Sequence, residues 1–416
     1  MIDYPNKLNK IFDKLQKNGA LAVIIGGYIR DKILKIDSKD IDIEVYGVSS
    51  FSKLESILEE FGSVNSVGKS FGVCKLHTQD LKLDFTLPRI ESKTTSGHTG
   101  FDINIKSDLD FISATRRRDF TMNAIGYDVV NKKILDPFNG IEDLKNKILK
   151  SVDAKSFIED PLRVYRAVQF CARFNLKMHS QLFNLCTKMI KENMLSELSK
   201  ERVFQEIKKL LLKSEKPSLG YKLFKKLGIT KEFDELHFLV QNSWNQVLNT
   251  IDNLAQNRTS SEITNIVLML AGICYKLDVV KTKSFIIKLS DEKELSKRVL
   301  SLISNPITTV LSDSKLYKLA TKVNIEELLI LNRAVFKGTN NQLYKTCDAI
   351  QIRAKNLGVL NKKMPPFLRG RDILACGISP SKEFSTILEK AYEVQMNGEF
   401  HSHEEATAWL RKYLAP

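Results

Sequence analysis

The chain has 416 residues, of which 43% are hydrophobic, so it is long enough for two or more domains with a sizeable core. Its 64 Lys and Arg outnumber its 49 Asp and Glu, and the net charge of +15 favours a polyanion such as nucleic acid as partner, although a uniformly basic proteome would also produce it. The six cysteines form no C-x-x-C pair, which argues against a zinc site and indicates reduced thiols in a cytoplasmic protein.

The first 20 residues, "MIDYPNKLNKIFDKLQKNGA", have the pattern of an amphipathic, Lys-rich helix. They lack the apolar core of a secretion signal, and no stretch reaches the roughly 18 uncharged apolar residues of a membrane span. We therefore expect a cytoplasmic protein without a membrane partner. No feature of the sequence indicates an obligate protein partner.

Residues 1–145 alternate between strand-like and helix-like patterns, which predicts an α/β domain. "LAVIIGG" is typical of a short buried strand that leads into a helix, and "DIDIEVYG" alternates acidic with apolar residues. "FGVCKLHTQDLKLDFTL" predicts a hairpin that turns near Gln79 and Asp80. Residues 91–110 have the composition of a loop, and "KKILDPFNG" predicts a last strand and turn.

From about residue 146 onwards, apolar residues recur at three- and four-residue spacing, which is typical of amphipathic helices. The expected fold class is therefore α+β, with an α/β head followed by an all-helical remainder. Breaks in the helical pattern divide that remainder. We predict a head over 1–145 and helical domains over 146–215, 216–305 and 306–416.

Asp40, Asp42 and Glu44 alternate with apolar residues in "DIDIEV", so all three are expected on the open face of one strand. Asp84 has the equivalent position in "LKLDFTL" and would join them if the two strands were neighbours. Like charges this close repel unless they are neutralised, and carboxylate oxygens suit Mg²⁺. A solvated strand face also commonly carries acids, so the pattern alone does not establish a metal site.

The residues upstream of the acids favour the metal site. Gly26 and Gly27 follow the buried strand and open a short helix that contains Arg30. Glycines at such a turn let backbone N–H groups approach a phosphate. Together with the arginine and the paired acids, they predict a triphosphate cradle beside a metal ion.

Two further motifs, "RRRDFTMNAIGYD" and "EDPLRVYRAVQFCARF", place charges in apolar surroundings. A run of three arginines is usually a solvated face or an RNA-binding patch, and the planar guanidinium is suited to phosphate. In the second motif Asp160 and Arg163 are three residues apart near a helix start and share a face of the helix. Taken alone, they predict a surface ion pair worth about 0–1 kcal/mol.

In order and spacing these motifs resemble those of the class II tRNA nucleotidyltransferase (CCA-adding enzyme) and bacterial poly(A) polymerase family. Its members have a polymerase-β-like head followed by helical neck, body and tail domains. The matching stretches are, in chain order, "GGYIRD…KDIDIEV", "RRRDFTMNAIGYD" with "DPFNG", "EDPLRVYRAVQFCARF", "ERVFQEIKKLL" and "LRGRDILACGISPSKEFSTILEKAYEVQMNGEF".

The resemblance implies that Asp40 and Asp42 hold two Mg²⁺ ions, which bridge the incoming triphosphate and activate the primer 3′-hydroxyl. Asp84 is left as an additional candidate ligand, and Glu44, further along the strand, as a bystander. The resemblance also implies that the triphosphate is cradled and neutralised by three residues: Gly26, Gly27 and Arg30.

For the nucleotide, the resemblance implies that Arg118 contacts it and that Asp119 contacts the ribose. Asp160 and Arg163 would read the base edge, because C and A both present an amino group to the carboxylate and a ring nitrogen to the guanidinium. The protein would then act as the template. Glu159 would orient this arginine, and a further nucleotide contact is implied for Arg166; the arginine often found three residues later is Gln169 here.

The expected function is addition of C, C and A from CTP and ATP to the tRNA 3′ end, with release of pyrophosphate. The segment 91–110 resembles the flexible element that lets full CCA-adding enzymes switch from C to A. A poly(A) polymerase, or a partial CC-adding or A-adding enzyme, shares the catalytic motifs and remains an alternative. A catalytically inactive RNA-binding protein is a more remote one.

Overall fold

The computed structural model describes residues 2–38, 40–65, 73–78, 82–93, 101–105, 108–381 and 383–415. Its contacts divide the chain into two compact units: Met1–Ser214 with Leu219–Glu232, and Glu215–Ser218 with Phe233–Pro416. The four-domain division that the sequence suggests stays a prediction beside these two units.

The strands of the described chain lie in the first unit. They are β1 (Leu21–Ile25), β2 (Ile41–Tyr46), β3 (Ser63–Asn65), β4 (Val73–His77), β5 (Lys82–Thr86), β6 (Arg89–Lys93), β7 (Phe101–Ile105), β8 (Gly126–Asp128), β9 (Lys133–Leu135), β10 (Ile148–Leu149) and β11 (Lys177–Met178). The helices up to this unit's end are α1 (Leu8–Lys17), α2 (Gly27–Ile33), α3 (Phe51–Leu58), α4 (Phe111–Thr115), α5 (Gly140–Lys145), α6 (Ala154–Ile158), α7 (Leu162–Phe174), α8 (Ser180–Lys191), α9 (Lys200–Lys213) and α10 (Ser218–Leu227).

Seven of the strands form one mixed sheet in the order β3-β4-β5-β2-β1-β8-β9. At its centre β2 runs antiparallel to β1 and parallel to β5. The predicted hairpin is confirmed in its two strands, because β4 pairs antiparallel with β5. Its turn at Gln79 and Asp80 lies outside the described residues.

Helix α1 packs against β1 through one apolar face. Its residues Leu8, Ile11, Phe12 and Leu15 recur at three- and four-residue spacing, and each is at most 5% exposed. Strand β1 is buried over Ala22–Ile25, and the chain then turns directly into α2 at Gly26. The core therefore fixes the position at which this glycine turn leaves the sheet.

The prediction of a loop over residues 91–110 is wrong in part. β6 and β7 form an antiparallel ribbon, in which Arg89 pairs with Ile105 and Lys93 with Phe101. The sequence "FDINI" of β7 alternates apolar with polar residues, which is the strand pattern that the composition of this segment obscures. Residues 94–100, which join the two strands, lie outside the described residues.

Among the described residues of the second unit, the regular elements are helices joined by turns and loops. Its helices are α11 (Asp234–Asn242), α12 (Trp244–Gln256), α13 (Glu262–Cys274), α14 (Val279–Leu289), α15 (Lys293–Ile303), α16 (Asp313–Ala320), α17 (Ile325–Phe336), α18 (Asn341–Asn356), α19 (Gly370–Ala375), α20 (Glu383–Met396) and α21 (His403–Leu414). Helix α13 is buried from Asn265 to Cys274 and forms a core with α12, α15 and α17. In the part of the chain that the structure describes, no helix has the length and apolar character needed to cross a membrane.

Candidate active site

Strand β2 places two carboxylates beside the glycine turn. Asp40 immediately precedes the strand and is exposed, whereas Asp42 lies within it and is half-buried. On one side Asp42 is the register partner of Ile25, the residue before Gly26. On the other side it is the register partner of Asp84 in β5, so the two predicted acidic strands are neighbours.

The carboxyl group of Asp42 is in an environment that disfavours its charge. Burial raises its pKa above the usual value; Arg118 opposes this shift, while Asp84 and Asp40 add to it. No hydrogen bond or ion pair engages Asp40 or Asp42 within the residues that the structure describes. The two carboxylates therefore leave their oxygens for a cation.

A hard divalent cation fits this donor set. Among the described residues, no three side chains of the ligating type are grouped closely enough to hold a metal ion by themselves. The protein would supply two carboxylates, and water and phosphate oxygens the remaining ligands, which is how Mg²⁺ is usually bound at nucleotide sites. Asp84, which lies 3.9 Å from the Lys75 ammonium, stays a prediction as a further ligand.

Glu44 does not lie on an open strand face, so that expectation is wrong for this residue. Its side chain is fully buried. Its Oε2 accepts a hydrogen bond of 2.8 Å from the Tyr46 hydroxyl, and its Oε1 accepts one of 3.3 Å from Nη2 of Arg117. The arginine segment that follows α4 covers this end of the strand, which periodicity within β2 cannot reveal.

The turn at Gly26 is shaped around Arg118. Gly26 has φ 71° and ψ −127°, and a Cβ atom there would stand 2.8 Å from Nη1 of Arg118. That nitrogen donates to the carbonyl of Asn123 at 3.1 Å, whereas Nε is buried without a hydrogen-bond partner in the described chain. Burial lowers the pKa of this guanidinium, whose charge faces Asp42 among other acids. The site therefore contains a cation that is only partly engaged.

Arg30 is buried and directs its donors into the protein. Its Nε and Nη2 contact Oδ1 of Asp31 at 2.8 and 2.7 Å, and its Nη1 donates to Oδ1 of Asn123 at 2.7 Å. The guanidinium also stacks at 4.7 Å from the ring centroid of Phe174. Its charge reaches Asp42 through space, but direct contact with a triphosphate stays a prediction.

Asp119 and Arg166 form a buried pair. Burial by itself would raise the pKa of Asp119, but Arg166 and the Asn123 amide outweigh it and hold the pKa below its usual value. Arg166 donates from Nε to Oδ2 at 2.7 Å, and the Asn123 amide donates to Oδ1 at 2.9 Å. Asp119 and Arg166 therefore orient each other. The ribose contact expected for Asp119 and the nucleotide contact expected for Arg166 stay predictions.

Asp160 and Arg163 do not pair with each other, contrary to the ion pair that their spacing suggests. Instead Nη2 of Arg202, on α9, donates to both carboxylate oxygens of Asp160 at 3.2 and 3.1 Å. Sequence reasoning missed this partner, although the resemblance includes it in "ERVFQEIKKLL". Asp160 also accepts from the backbone N–H of Leu162 at 3.1 Å, which anchors it at the start of α7.

Arg163 is oriented by backbone oxygens. Its Nη1 donates to the carbonyl of Ser156 at 2.7 Å, and its Nη2 donates to the carbonyl of Arg117 at 2.8 Å. These bonds leave Nε and one hydrogen of Nη2 for a ligand. The side chain is therefore held in place while its remaining donors stay available.

Gln169 stands where the resemblance suggests a further arginine. Its side chain is 1% exposed, and its Nε2 has no hydrogen-bond partner among the described residues. A guanidinium at so buried a position would require a desolvated counter-charge, whereas an amide does not. The substitution thus affects the interior of α7 rather than an exposed contact.

Comparison with known proteins finds two family models and a set of similar proteins that match parts of this chain. The model of the poly A polymerase head domain matches residues 22–150, and the model described as the probable RNA and SrmB-binding site of polymerase A matches residues 175–239. The chain is 35% identical over 211 residues to a CCA-adding enzyme of Francisella tularensis subsp. tularensis, which covers 50% of this chain and 55% of that protein. It is 32% identical over 238 residues to a CCA-adding enzyme of Buchnera aphidicola, which covers 56% of this chain and 53% of that protein. The matches thus span about half the length of these relatives.

Solved structures show the same fold over the whole chain. A Bacillus stearothermophilus CCA-adding enzyme in complex with CTP has a TM-score of 0.74 at 19% identity and covers 99% of this chain and 98% of that one. A Thermotoga maritima CCA-adding enzyme complexed with tRNA_CCA has a TM-score of 0.62 at 20% identity and covers 100% and 97%. The expected fold class, an α+β head followed by helical domains, is confirmed.

Proposed function

We propose that this chain is a CCA-adding tRNA nucleotidyltransferase. The premise is that residues 22–150 and 175–239 belong to the class II tRNA nucleotidyltransferase and bacterial poly(A) polymerase family. It would add C, C and A from CTP and ATP to the tRNA 3′ end, without a nucleic-acid template, in the cytoplasm. The observation that carries the proposal is that Asp40 and Asp42, which have no hydrogen-bond or ion-pair partner among the described residues, lie beside the turn at Gly26 and the partly engaged Arg118.

The carboxylates of Asp40 and Asp42 would hold Mg²⁺, in keeping with the divalent metals that nucleotidyltransferases of this type generally use. When bound, the metal would polarise the triphosphate and lower the pKa of the primer hydroxyl. The chain's own residues orient the substrate. Gly26 lets the phosphates approach the backbone, and Arg118 offers the donors that the protein leaves unused.

The base would be read by Asp160 and Arg163 from two sides of the start of α7. Arg202 holds the carboxylate of Asp160, whose remaining lone pairs can accept from the amino group of C or A. The free Nε–H of Arg163 can donate to the ring nitrogen of either base. U and G present the opposite pattern of donors and acceptors, so they would leave the acceptor of Asp160 and the donor of Arg163 that face the base unsatisfied.

The decisive experiment is single-nucleotide extension. The protein and Mg²⁺ are incubated with three tRNA transcripts that end before CCA, after C and after CC, with CTP, ATP or both. We expect extension to stop at CCA when both nucleotides are present. C addition without A, or A addition on the CC-ended tRNA alone, would identify a partial enzyme. Long A tails on any RNA would identify a poly(A) polymerase. No extension at all would indicate an RNA-binding protein.

Replacing Gly26 by alanine should weaken CTP binding about tenfold or more, because the new Cβ displaces the guanidinium of Arg118 and costs a charge-assisted hydrogen bond. Gly19→Ala is the matched control, since Gly19 has a similar φ of +74° but open space around it. Both variants carry the strain of a positive φ, which is about 1–3 kcal/mol and larger at Gly26, because its ψ of −127° lies outside the left-handed helical region. Isothermal titration of both with CTP separates the two effects; equal losses would show that strain alone matters.

The raised pKa of Asp42 predicts that Mg²⁺ binding depends on pH. Because burial favours the protonated carboxyl, protons compete with the metal at a higher pH than they would at an exposed aspartate. We expect the Mg²⁺ concentration for half-maximal extension to rise as the pH falls from 8 to 5. A requirement for Mg²⁺ that stays constant over this range would contradict the assignment of Asp42 as a ligand.

A further inference from the structure

Glu44 is a fully buried carboxylate between the buried apolar residues Ile43 and Val45 of β2. It occupies the β-strand next to the metal-binding position, where an apolar or β-branched side chain would pack without desolvating a charge. Its side chain is fully buried, and its oxygens are used by Tyr46 and Arg117 at 2.8 and 3.3 Å. The desolvation cost of the Glu44 charge is offset by its hydrogen bonds with Tyr46 and Arg117, which points to a role for these contacts.

Arg117 connects Glu44 to the arginine that would read the base. The side chain of Arg117 is held by Glu44, and the carbonyl oxygen of the same residue accepts the hydrogen bond of 2.8 Å from Nη2 of Arg163. That carbonyl also accepts a bond of 3.3 Å from the Ser156 hydroxyl, which itself lies 3.2 Å from Nη1 of Arg163. The backbone of Arg117 is therefore one of two anchors that hold the guanidinium of Arg163, the other being Ser156.

The same strand thus bears on two parts of the site. Asp42 and Glu44 are separated by one residue of β2, so the strand that presents the metal ligand also anchors Arg117. Any displacement of Arg117 relative to β2 would move Arg163 relative to Asp42. A carboxylate–guanidinium contact is suited to this task, because its geometry is directional and it is shielded from solvent here.

We propose that Glu44 is a positioning residue for nucleotide selection: through Arg117 it fixes Arg163, and so sets the preference for bases that present an amino group and a ring-nitrogen acceptor. This inference rests on the proposed function for the role of Arg163. It assigns no contact between Glu44 and the substrate. It also gives the third acid of "DIDIEV" a role distinct from that of the two metal ligands.

The test is Glu44→Gln, which keeps the shape but replaces one acceptor oxygen by an NH2 donor and removes the charge that faces Arg117 and, through space, Arg118. We expect the preference for CTP over UTP, measured as a ratio of kcat/KM in the first C addition, to fall about tenfold, with a smaller loss in kcat for CTP. Binding of CTP and of UTP to the free protein is measured in parallel and should show the same loss of preference. Tyr46→Phe is the matched control, because it removes the other bond to Glu44 and leaves Arg117 in place.

A double-mutant cycle distinguishes positioning from general damage. Arg117→Met, at a side chain that is 21% exposed, should lose the same preference, and the double variant Glu44→Gln/Arg117→Met should lose no more than either single variant. Additive losses would indicate two independent effects and overturn the inference. If Glu44→Gln fails to fold, Arg117→Met carries the test alone.

The outcomes for the inference and for the proposed function are separable. Extension of tRNA by the wild type, with an unchanged CTP preference in Glu44→Gln and Arg117→Met, would overturn the inference and leave the function standing. If the wild type did not extend tRNA but bound CTP in preference to UTP, and Glu44→Gln abolished that preference, the proposed function would be overturned and the positioning role of Glu44 would stand. Equal binding of CTP and UTP by the wild type would overturn both.

Discussion

Replacing Asp42 by asparagine is expected to reduce nucleotide addition about 10³-fold or more. The amide keeps the size of the side chain but offers one neutral oxygen in place of a charged carboxylate, so it holds a divalent cation much more weakly. The loss of metal-centred charge stabilisation is worth roughly 4 kcal/mol or more of activation free energy. The measurement is the rate of single C addition to a tRNA transcript that ends before CCA. Asp40→Asn should behave in the same way, since Asp40 is the other carboxylate at the start of β2 and, like Asp42, has no hydrogen-bond or ion-pair partner among the described residues.

The same Asp42→Asn variant should be at least as stable as the wild type in Mg²⁺-free buffer. The folded-state pKa of Asp42 is raised, so ionising it above its unfolded pKa costs folding free energy, and this cost disappears as the pH falls below both values. Asparagine never bears the cost. Thermal unfolding at pH 7 should therefore show a midpoint equal to or above that of the wild type, which would exclude misfolding as the cause of lost activity.

Asp37→Asn is the matched control for this experiment. Asp37 is an exposed acid just upstream of β2, and its removal changes the net charge by the same amount. Its rate of C addition should stay close to that of the wild type. If Asp42→Asn retained more than a tenth of the wild-type rate, the metal-ligand role of Asp42 would have to be abandoned.

Patterns within one element account for what the sequence predicted correctly. The apolar run of β1 is unbroken because both faces of that strand are buried, whereas β2 and β5 alternate because one face is more open. These patterns place Gly26, Asp42 and Asp84 at defined positions. The pairing of β2 with β5 was the remaining condition for bringing the acids together. The structure meets it with Asp42 and Asp84 in register.

Contacts between distant elements were beyond such patterns. Asp160, which precedes α7, pairs with Arg202, 42 residues away on α9, rather than with Arg163 in the first turn of α7. Spacing along a helix shows which residues share a face, but not which partner from another element reaches that face first. The burial of Glu44 has the same origin, because the residue that covers it, Arg117, comes 73 residues later.

A second large effect is expected for Arg163→Lys. Lysine keeps the charge, but its single ammonium cannot replace two guanidinium nitrogens that bond to the carbonyls of Ser156 and Arg117. On the proposed function, the third nitrogen would donate to the base. We expect kcat/KM for CTP and ATP to fall about 10²-fold, since a charge-assisted hydrogen bond is worth roughly 1.5–3 kcal/mol and its geometry is lost. UTP and GTP should be affected far less, because they do not use this donor.

Arg173→Lys supplies the comparison for that variant. Arg173 lies on the same helix α7, and its guanidinium is 4.0 Å from Asp31 and stacks on Phe174 rather than contacting Ser156 or Arg117. Its substitution should preserve the ratio of kcat/KM for CTP to that for UTP. If Arg163→Lys also preserved this ratio while it lowered all rates equally, Arg163 would serve the structure of the helix start rather than the reading of the base, and selectivity would have to be sought in other side chains.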